Sequence, residues 1–144
     1  MIYLDTSVVV PLLVPETTSA RARAWFQRLD SGQTKALAVS TWALTEFTSA
    51  MGIKVRNREV TSEQGEAARA LLEGALLPNL TVLEVTPTDF RLAETMLREF
   101  SLGLRAGDAL HLATASRCEA QQFVSLDRKL CRVAEALGLP VTPI

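Results

Sequence analysis

The sequence predicts an α/β fold: a three-layer α/β/α sandwich with a central parallel sheet, built as a single domain over residues 1–144. Three observations predict it. Short apolar runs alternate with longer helical segments along the chain, the pattern of strand–helix–strand units whose sheet is covered on both faces. An apolar fraction of 48% supplies a full core and argues against disorder. The length of 144 residues suits one domain of roughly 100–200 residues, with no repeat, low-complexity tract or long linker.

Each element has a local reason. Ile2 to Leu4 is a short strand ending at Asp5. Thr6 to Leu13 reads as helix, with a break or kink expected near Pro11. Thr17 to Leu29 is a helix with a Ser/Thr start and a Trp25-Phe26-Leu29 stripe. Ala36 to Val39 is the second strand. Thr41 to about Arg56 is a helix with Trp42, Phe47 and Ile53 among its apolar positions. Thr61 opens another helix, with Gln64 three residues on to complete a capping box. Leu80 to Val85, alternating and β-branched, is the third strand. Thr88 to Phe100 is helical, Ser101 to Gly107 a turn, and Asp108 to about Ala120 helical again. Phe123 to Ser125 is the fourth strand. Asp127 to Leu137 is a helix stopped by Gly138 and Pro140, and Val141 to Ile144 is an edge strand. Right-handed crossovers join the strands into one sheet.

Composition narrows the chemistry. Fifteen basic residues stand against sixteen acidic ones, so no bulk positive field announces a nucleic-acid partner, and contact would need a local basic patch. The chain is expected to be cytoplasmic. Its longest apolar stretch, Val8 to Pro15, is too short to span a bilayer. Its first basic residue is Arg21, so no cationic leader segment precedes it. Cys118 and Cys131 form no C-x-x-C pair and read as reduced core thiols.

A single histidine, His111, excludes a two-histidine ribonuclease mechanism and a histidine-rich zinc site. Cys118 follows it by seven positions on one helix, about 10.5 Å along the axis, which excludes a cysteine–histidine pair. No G-x-S-x-G, G-x-x-x-x-G-K-[ST] or G-x-G-x-x-G motif is present. Carboxylates, hydroxyls and metal ions remain. A phosphatase would show D-x-D and a phosphotransfer receiver adjacent acids after the first strand, whereas this chain has D-T-S.

Four acids are predicted to converge on one rim. In open α/β sheets the functional crevice lies beyond the carboxyl ends of the strands. Asp5 directly follows the first strand, and Asp127 lies two residues past the fourth. Glu46 lies in the second turn of the helix after strand two, and Asp108 begins the helix that feeds strand four. Each also has a structural use. Asp5 and Asp127 can cap helices, Asp108 can sit at a helix N-terminus, and Glu46 can be a buried-side structural acid. Together, four close carboxylates need a counterion, and an oxygen-lined acidic site suits Mg²⁺ or Mn²⁺. The chemistry that follows is phosphodiester or phosphoryl hydrolysis.

The motifs M-I-Y-L-D-T-S, W-A-L-T-E-F, R-A-G-D-A-L-H-L-A-T-A and F-V-S-L-D-R-K-L resemble those of PIN-domain ribonucleases, and within them VapC-type toxins of toxin–antitoxin pairs. The resemblance covers essentially the whole chain; the family pattern often has Thr where this chain has Ser125. It implies a PIN-like fold and Mg²⁺- or Mn²⁺-dependent endoribonuclease activity on RNA, leaving 5′-phosphate and 3′-OH ends. Asp5 and Asp108 would be the principal metal ligands, completed by Glu46 and Asp127, with Thr6 and Ser125 as orienting hydroxyls. It also implies a homodimer and a cognate VapB-type antitoxin whose C-terminal segment fills the cleft. A PIN nuclease of RNA processing and a non-catalytic PIN-like binding module are the alternatives.

Other residues have plainer expectations. His111 is expected as a packed, hydrogen-bonded core residue. Trp25 and Trp42 are expected in core or dimer packing, and the Val8 to Val14 run in the core or a dimer interface. Lys54, Arg56 and Arg58, and Arg105, Arg128 and Lys129 near the acidic rim, read as solvated surface or as contacts for RNA phosphate.

Overall fold

The computed structural model describes the backbone of residues 1–144 and every side chain except those of residues 31 and 35. Strand β1 (Ile2–Leu4) is followed by helices α1 (Thr6–Leu13), α2 (Ser19–Gln27) and α3 (Ser31–Lys35), then by β2 (Leu37–Ser40). Helices α4 (Thr41–Arg56) and α5 (Ser62–Leu71) lead through a π turn and a 3-10 turn to β3 (Thr81–Leu83). Helices α6 (Pro87–Leu97) and α7 (Ala106–Arg117) precede β4 (Gln122–Ser125), and α8 (Arg128–Ala136) precedes β5 (Val141–Pro143).

The five strands form one parallel sheet in the order β3-β2-β1-β4-β5. β1 lies at its centre, and Ile2–Leu4 are all buried, which is why this strand reads as an unbroken apolar run. Side chains alternate between two cores. Ile2, Leu4, Leu37, Val39 and Val124 face one layer, closed by Val8, Val9, Trp25 and Phe47 from the helices. Tyr3 and Phe123 face the other, against Leu112 of α7 and Leu130 and Val133 of α8. Ala93 of α6 packs on Ala109 and Ala113 of α7, where small side chains let the two helices approach closely. The Val8–Val10 segment and Trp25 are core residues, as expected, while Trp42 is half-buried beside the α6–α7 pair.

The expected capping box is present: Thr61 Oγ1 accepts from the Gln64 N–H, and the Gln64 side chain accepts from the Thr61 N–H. Several boundaries differ from expectation. The third strand is only Thr81–Leu83, because the Val85 N–H turns to Thr41 Oγ1 at 3.2 Å and Thr86 already caps α6. The second helix starts at Ser19, not Thr17, since Ser19 Oγ closes the preceding turn onto the Glu16 N–H and the Val14 carbonyl. Helix α3 falls where no element is expected, and the capping box of Asp30 and Gln33 opens it. Helix α6 ends at Leu97, where the chain turns into a 3-10 segment. Helix α1 runs through Pro11 and stops at Leu13, so the proline ends it without splitting it. Cys118 and Cys131 are free and half-buried, less enclosed than core thiols.

Candidate active site

The strand order reverses between the parallel neighbours β1 and β4: connections from β1 run outward to β2 and β3, and the chain then returns to β4 on the other side. A crevice opens at such a switch point. The Asp5 N–H still pairs with the Val124 carbonyl at 3.0 Å, so the ladder fixes where Asp5 leaves the sheet.

Asp5 is buried and heavily bonded. Its Oδ2 accepts from Ser7 Oγ at 2.5 Å and from Ser125 Oγ at 2.7 Å. Its Oδ1 lies 3.3 Å from His111 Nε2. Glu46, in the second turn of α4, accepts from Thr6 Oγ1 at 2.7 Å through Oε2, which also lies 2.7 Å from His111 Nε2. Burial alone would raise the Glu46 carboxyl, but the His111 ring and Thr6 hold it below the usual carboxylate range. The Trp42 Nε1 is buried without hydrogen-bond geometry to any described group.

Asp108 is the third residue of α7, not its first as expected, and half-buried. Its carboxylate accepts no hydrogen bond among the described residues, unlike the other three. Burial, then the charges of Asp5, Asp127 and Glu46, push its pKa up. Asp127 is exposed and doubles as the cap of α8, its Oδ1 accepting from the Lys129 and Leu130 N–H groups at 2.7 and 3.1 Å. Ser125 Oγ accepts from the Asp127 N–H at 3.0 Å. Thus the four predicted acids and both predicted hydroxyls meet around one rim.

His111 is the packed, fully buried residue the sequence predicts, yet its bonds go to the acids. Burial alone would lower its pKa; the Glu46 hydrogen bond and the charges of Asp5, Glu46 and Asp108 outweigh that and raise it. Among the described residues it is the only basic side chain within ion-pair distance of the four. Ser7 was missed, although it lies two positions after Asp5, a spacing that favours local bonding to a carboxylate. It also accepts from the Leu126 N–H at 2.9 Å, tying α1 to the end of β4.

The basic residues divide. Lys54 is committed to Glu16 at 2.5 Å and Glu59 at 3.0 Å. Lys129 Nζ donates to the Gly103 carbonyl at 2.7 Å, and with Arg105 it lines a small crevice shared by Asp108 and Asp127. A wider groove of about 430 Å³ runs from Thr6, Ser7 and Asp127 toward Glu16 and Lys54. The donor set fits a hard divalent cation: oxygen ligands predominate, one carboxylate is unspent, and the charge excess is met by a single imidazole. Asp5, Glu46 and His111 bring one candidate ligand atom each within 4.8 Å of one another.

Comparison with known proteins finds relatives over nearly the whole chain. The family model described as PIN domain matches residues 2–136. Ribonuclease VapC47 of Mycobacterium tuberculosis is 34% identical over 140 residues, covering 96% of this chain and 93% of its own. The fold of FitAcB from Neisseria gonorrhoeae superposes with a TM-score of 0.74 at 18% identity, over 98% of this chain and 96% of that one. VapC20 of M. tuberculosis, a sarcin-ricin loop cleaving toxin, gives 0.72 at 19% identity, over 96% of each chain. No helix among the described residues is long and apolar enough to cross a membrane.

Proposed function

Since this chain belongs to the PIN-domain family, and within it to the VapC ribonucleases, we propose that it is a Mg²⁺- or Mn²⁺-dependent endoribonuclease acting as the toxin of a VapBC-type pair. The observation that carries the metal dependence is Asp108: an unbonded, half-buried carboxyl whose ionisation three neighbouring acids oppose. A cation in the crevice would offset that repulsion.

Asp5 and Asp108 would be the principal ligands, with Glu46 and Asp127 completing the set. Bound Mg²⁺ or Mn²⁺ would neutralise the carboxylates, hold phosphate oxygens and lower the pKa of a water. The chain's own groups orient the site. Ser7 and Ser125 hold one oxygen of Asp5. Thr6 and His111 hold one oxygen of Glu46. Asp127 spends Oδ1 on the α8 cap, which leaves Oδ2 for the crevice. Water, not the ribose 2′-OH, is the attacking group, so the phosphate stays on the 5′ side of the downstream fragment and the upstream fragment ends in a 3′-OH. Arg105 and Lys129 flank the crevice where RNA phosphates would pass. The partners that fit are RNA, a cognate VapB-type antitoxin and a second copy of the chain.

The test is cleavage of a tRNA and mRNA pool by the purified protein with Mg²⁺, with Mn²⁺ and with EDTA, beside Asp5→Asn and Asp108→Asn. Metal-dependent cutting, lost in both variants and leaving 5′-phosphates, is the expected result. Cutting that survives EDTA or both substitutions overturns the mechanism. Co-expression with a cognate VapB-type antitoxin should suppress both toxicity and cleavage.

A further inference from the structure

Tyr3 and His111 lie behind the carboxylates and are both fully buried. His111 Nδ1 is 2.9 Å from Tyr3 Oη, with the rings edge-on at 72°. Tyr3 Oη reaches Ser40 Oγ at 2.8 Å, and Ser40 Oγ accepts from the Ala43 N–H that opens α4. On the other side of the imidazole, Nε2 faces Glu46 Oε2 at 2.7 Å, Thr6 Oγ1 at 3.1 Å and Asp5 Oδ1 at 3.3 Å. One ring therefore joins β1, α1 and α4 at the point where their acids meet.

We propose that Tyr3 and His111 form a buried positioning pair that sets the orientation and separation of Glu46 and Asp5, and through them the affinity of the crevice for a divalent cation. The inference rests on the nuclease reading above. Thr6 Oγ1 has one proton and gives it to Glu46. The short Nε2–Oε2 contact therefore takes its proton from the ring, so His111 donates to Glu46 and stands at ion-pair distance from Asp5. That donor lets Glu46 and Asp5 sit close before any cation arrives. Three oxygens enclose Nε2 and the side chain has no exposed surface, so the ring serves the ligands and is not one. Tyr3 fixes the ring from behind, as the partners of ligand-holding groups commonly do.

The test compares wild type with His111→Gln, Tyr3→Phe and Phe123→Leu. Mn²⁺ affinity by calorimetry, metal-free melting, and kcat and KM for RNA are measured on each. His111→Gln should weaken Mn²⁺ binding by roughly 10–100-fold, the usual cost of an outer partner, with kcat lowered and KM for RNA unchanged. Tyr3→Phe keeps the ring stacked on Phe123 at 5.8 Å, so it folds, and should weaken Mn²⁺ by a smaller factor. Phe123→Leu should lower the melting temperature and leave Mn²⁺ affinity alone. A packing role only would lower melting temperature and binding stoichiometry while the Kd of the folded fraction stayed at the wild-type value; that result overturns the inference. If His111→Gln does not fold, an unchanged Kd in Tyr3→Phe is decisive against it. A wild type that neither binds Mn²⁺ nor cuts RNA fails the nuclease reading itself, and this inference with it. A binding, cutting wild type with indifferent variants fails only the positioning pair.

Discussion

Gly107 stands directly against Glu46: a Cβ on Gly107 would lie 2.6 Å from Glu46 Oε1 and 3.3 Å from two atoms of the Trp42 ring. The helix start that presents Asp108 can approach α4 only because position 107 has no side chain. Gly107→Ala should therefore move the Glu46 carboxylate. The fold should tolerate it, since alanine in a helix gains about 1 kcal/mol over glycine and the displaced group is the tip of a side chain. Cleavage and Mn²⁺ binding should fall with little change in melting temperature. Parallel melting and calorimetry check it; wild-type affinity would show that the close approach at Gly107 does not set the Glu46 carboxylate.

Asp108→Asn should separate stability from activity. A carboxyl whose pKa is raised in the folded state opposes folding once it ionises, so stability is lost as pH rises past its unfolded value, about 4. Removing that charge should raise the melting temperature at pH 7 in EDTA by a few degrees. It should also abolish the stabilisation that Mn²⁺ gives the wild type, which reaches about 2.7 kcal/mol at a hundredfold excess over Kd. Melting curves with and without Mn²⁺ decide both points.

Ser125→Ala should impair the site modestly, because one hydroxyl donates to Asp5 and accepts from the Asp127 N–H. The expected stability cost is about 1 kcal/mol, that of an ordinary hydrogen bond. Cleavage should drop more than the melting temperature suggests, and Ser125→Thr should restore it. Failure of Thr to rescue would mean that the methyl group, not the hydroxyl, is limiting.

The Asp89–Arg117 pair predicts a pH-dependent stability that does not involve the four acids of the rim. Arg117 Nε donates to Asp89 Oδ1 at 2.6 Å, Asp89 Oδ2 accepts from the Thr86 N–H at 2.7 Å, and Arg117 also reaches the Glu84 carbonyl at 2.9 Å. Burial alone would raise the Asp89 carboxyl, but Arg117 and Thr86 hold it below the usual range. A lowered carboxyl contributes stability above its unfolded value of about 4 and loses it as pH falls through the folded one. Asp89→Asn should cost about 2–4 kcal/mol at pH 7, below the cost for a fully enclosed pair because Arg117 is partly open to water. The gap from wild type should close below pH 4; a gap constant down to pH 3 would assign the loss to packing.

Much of this was legible because the site is built from chain ends of regular elements. Asp5 and Asp127 were found by position after apolar strand runs, and Glu46 by its turn within a helix. The role of His111 was not legible. A buried ring declares only that it needs partners, and its partner Tyr3 lies 108 positions away. Gly107 read as the end of a turn because its neighbour across space, Glu46, is distant in sequence. The third strand was overestimated because its alternation is real but its ladder is short: Thr81 and Val82 are exposed, so no buried face enforces a longer strand.

Asp127 divides its carboxylate between two duties, and that division makes a practical reagent. Asparagine caps helices about as well as aspartate, so Asp127→Asn would leave α8 anchored and Lys129 and Leu130 bonded while withdrawing one negative charge from the rim. The product is a well-folded protein with its cutting edge blunted. Such a protein can be produced in growing cells and held with intact RNA long enough to read which strand it grips.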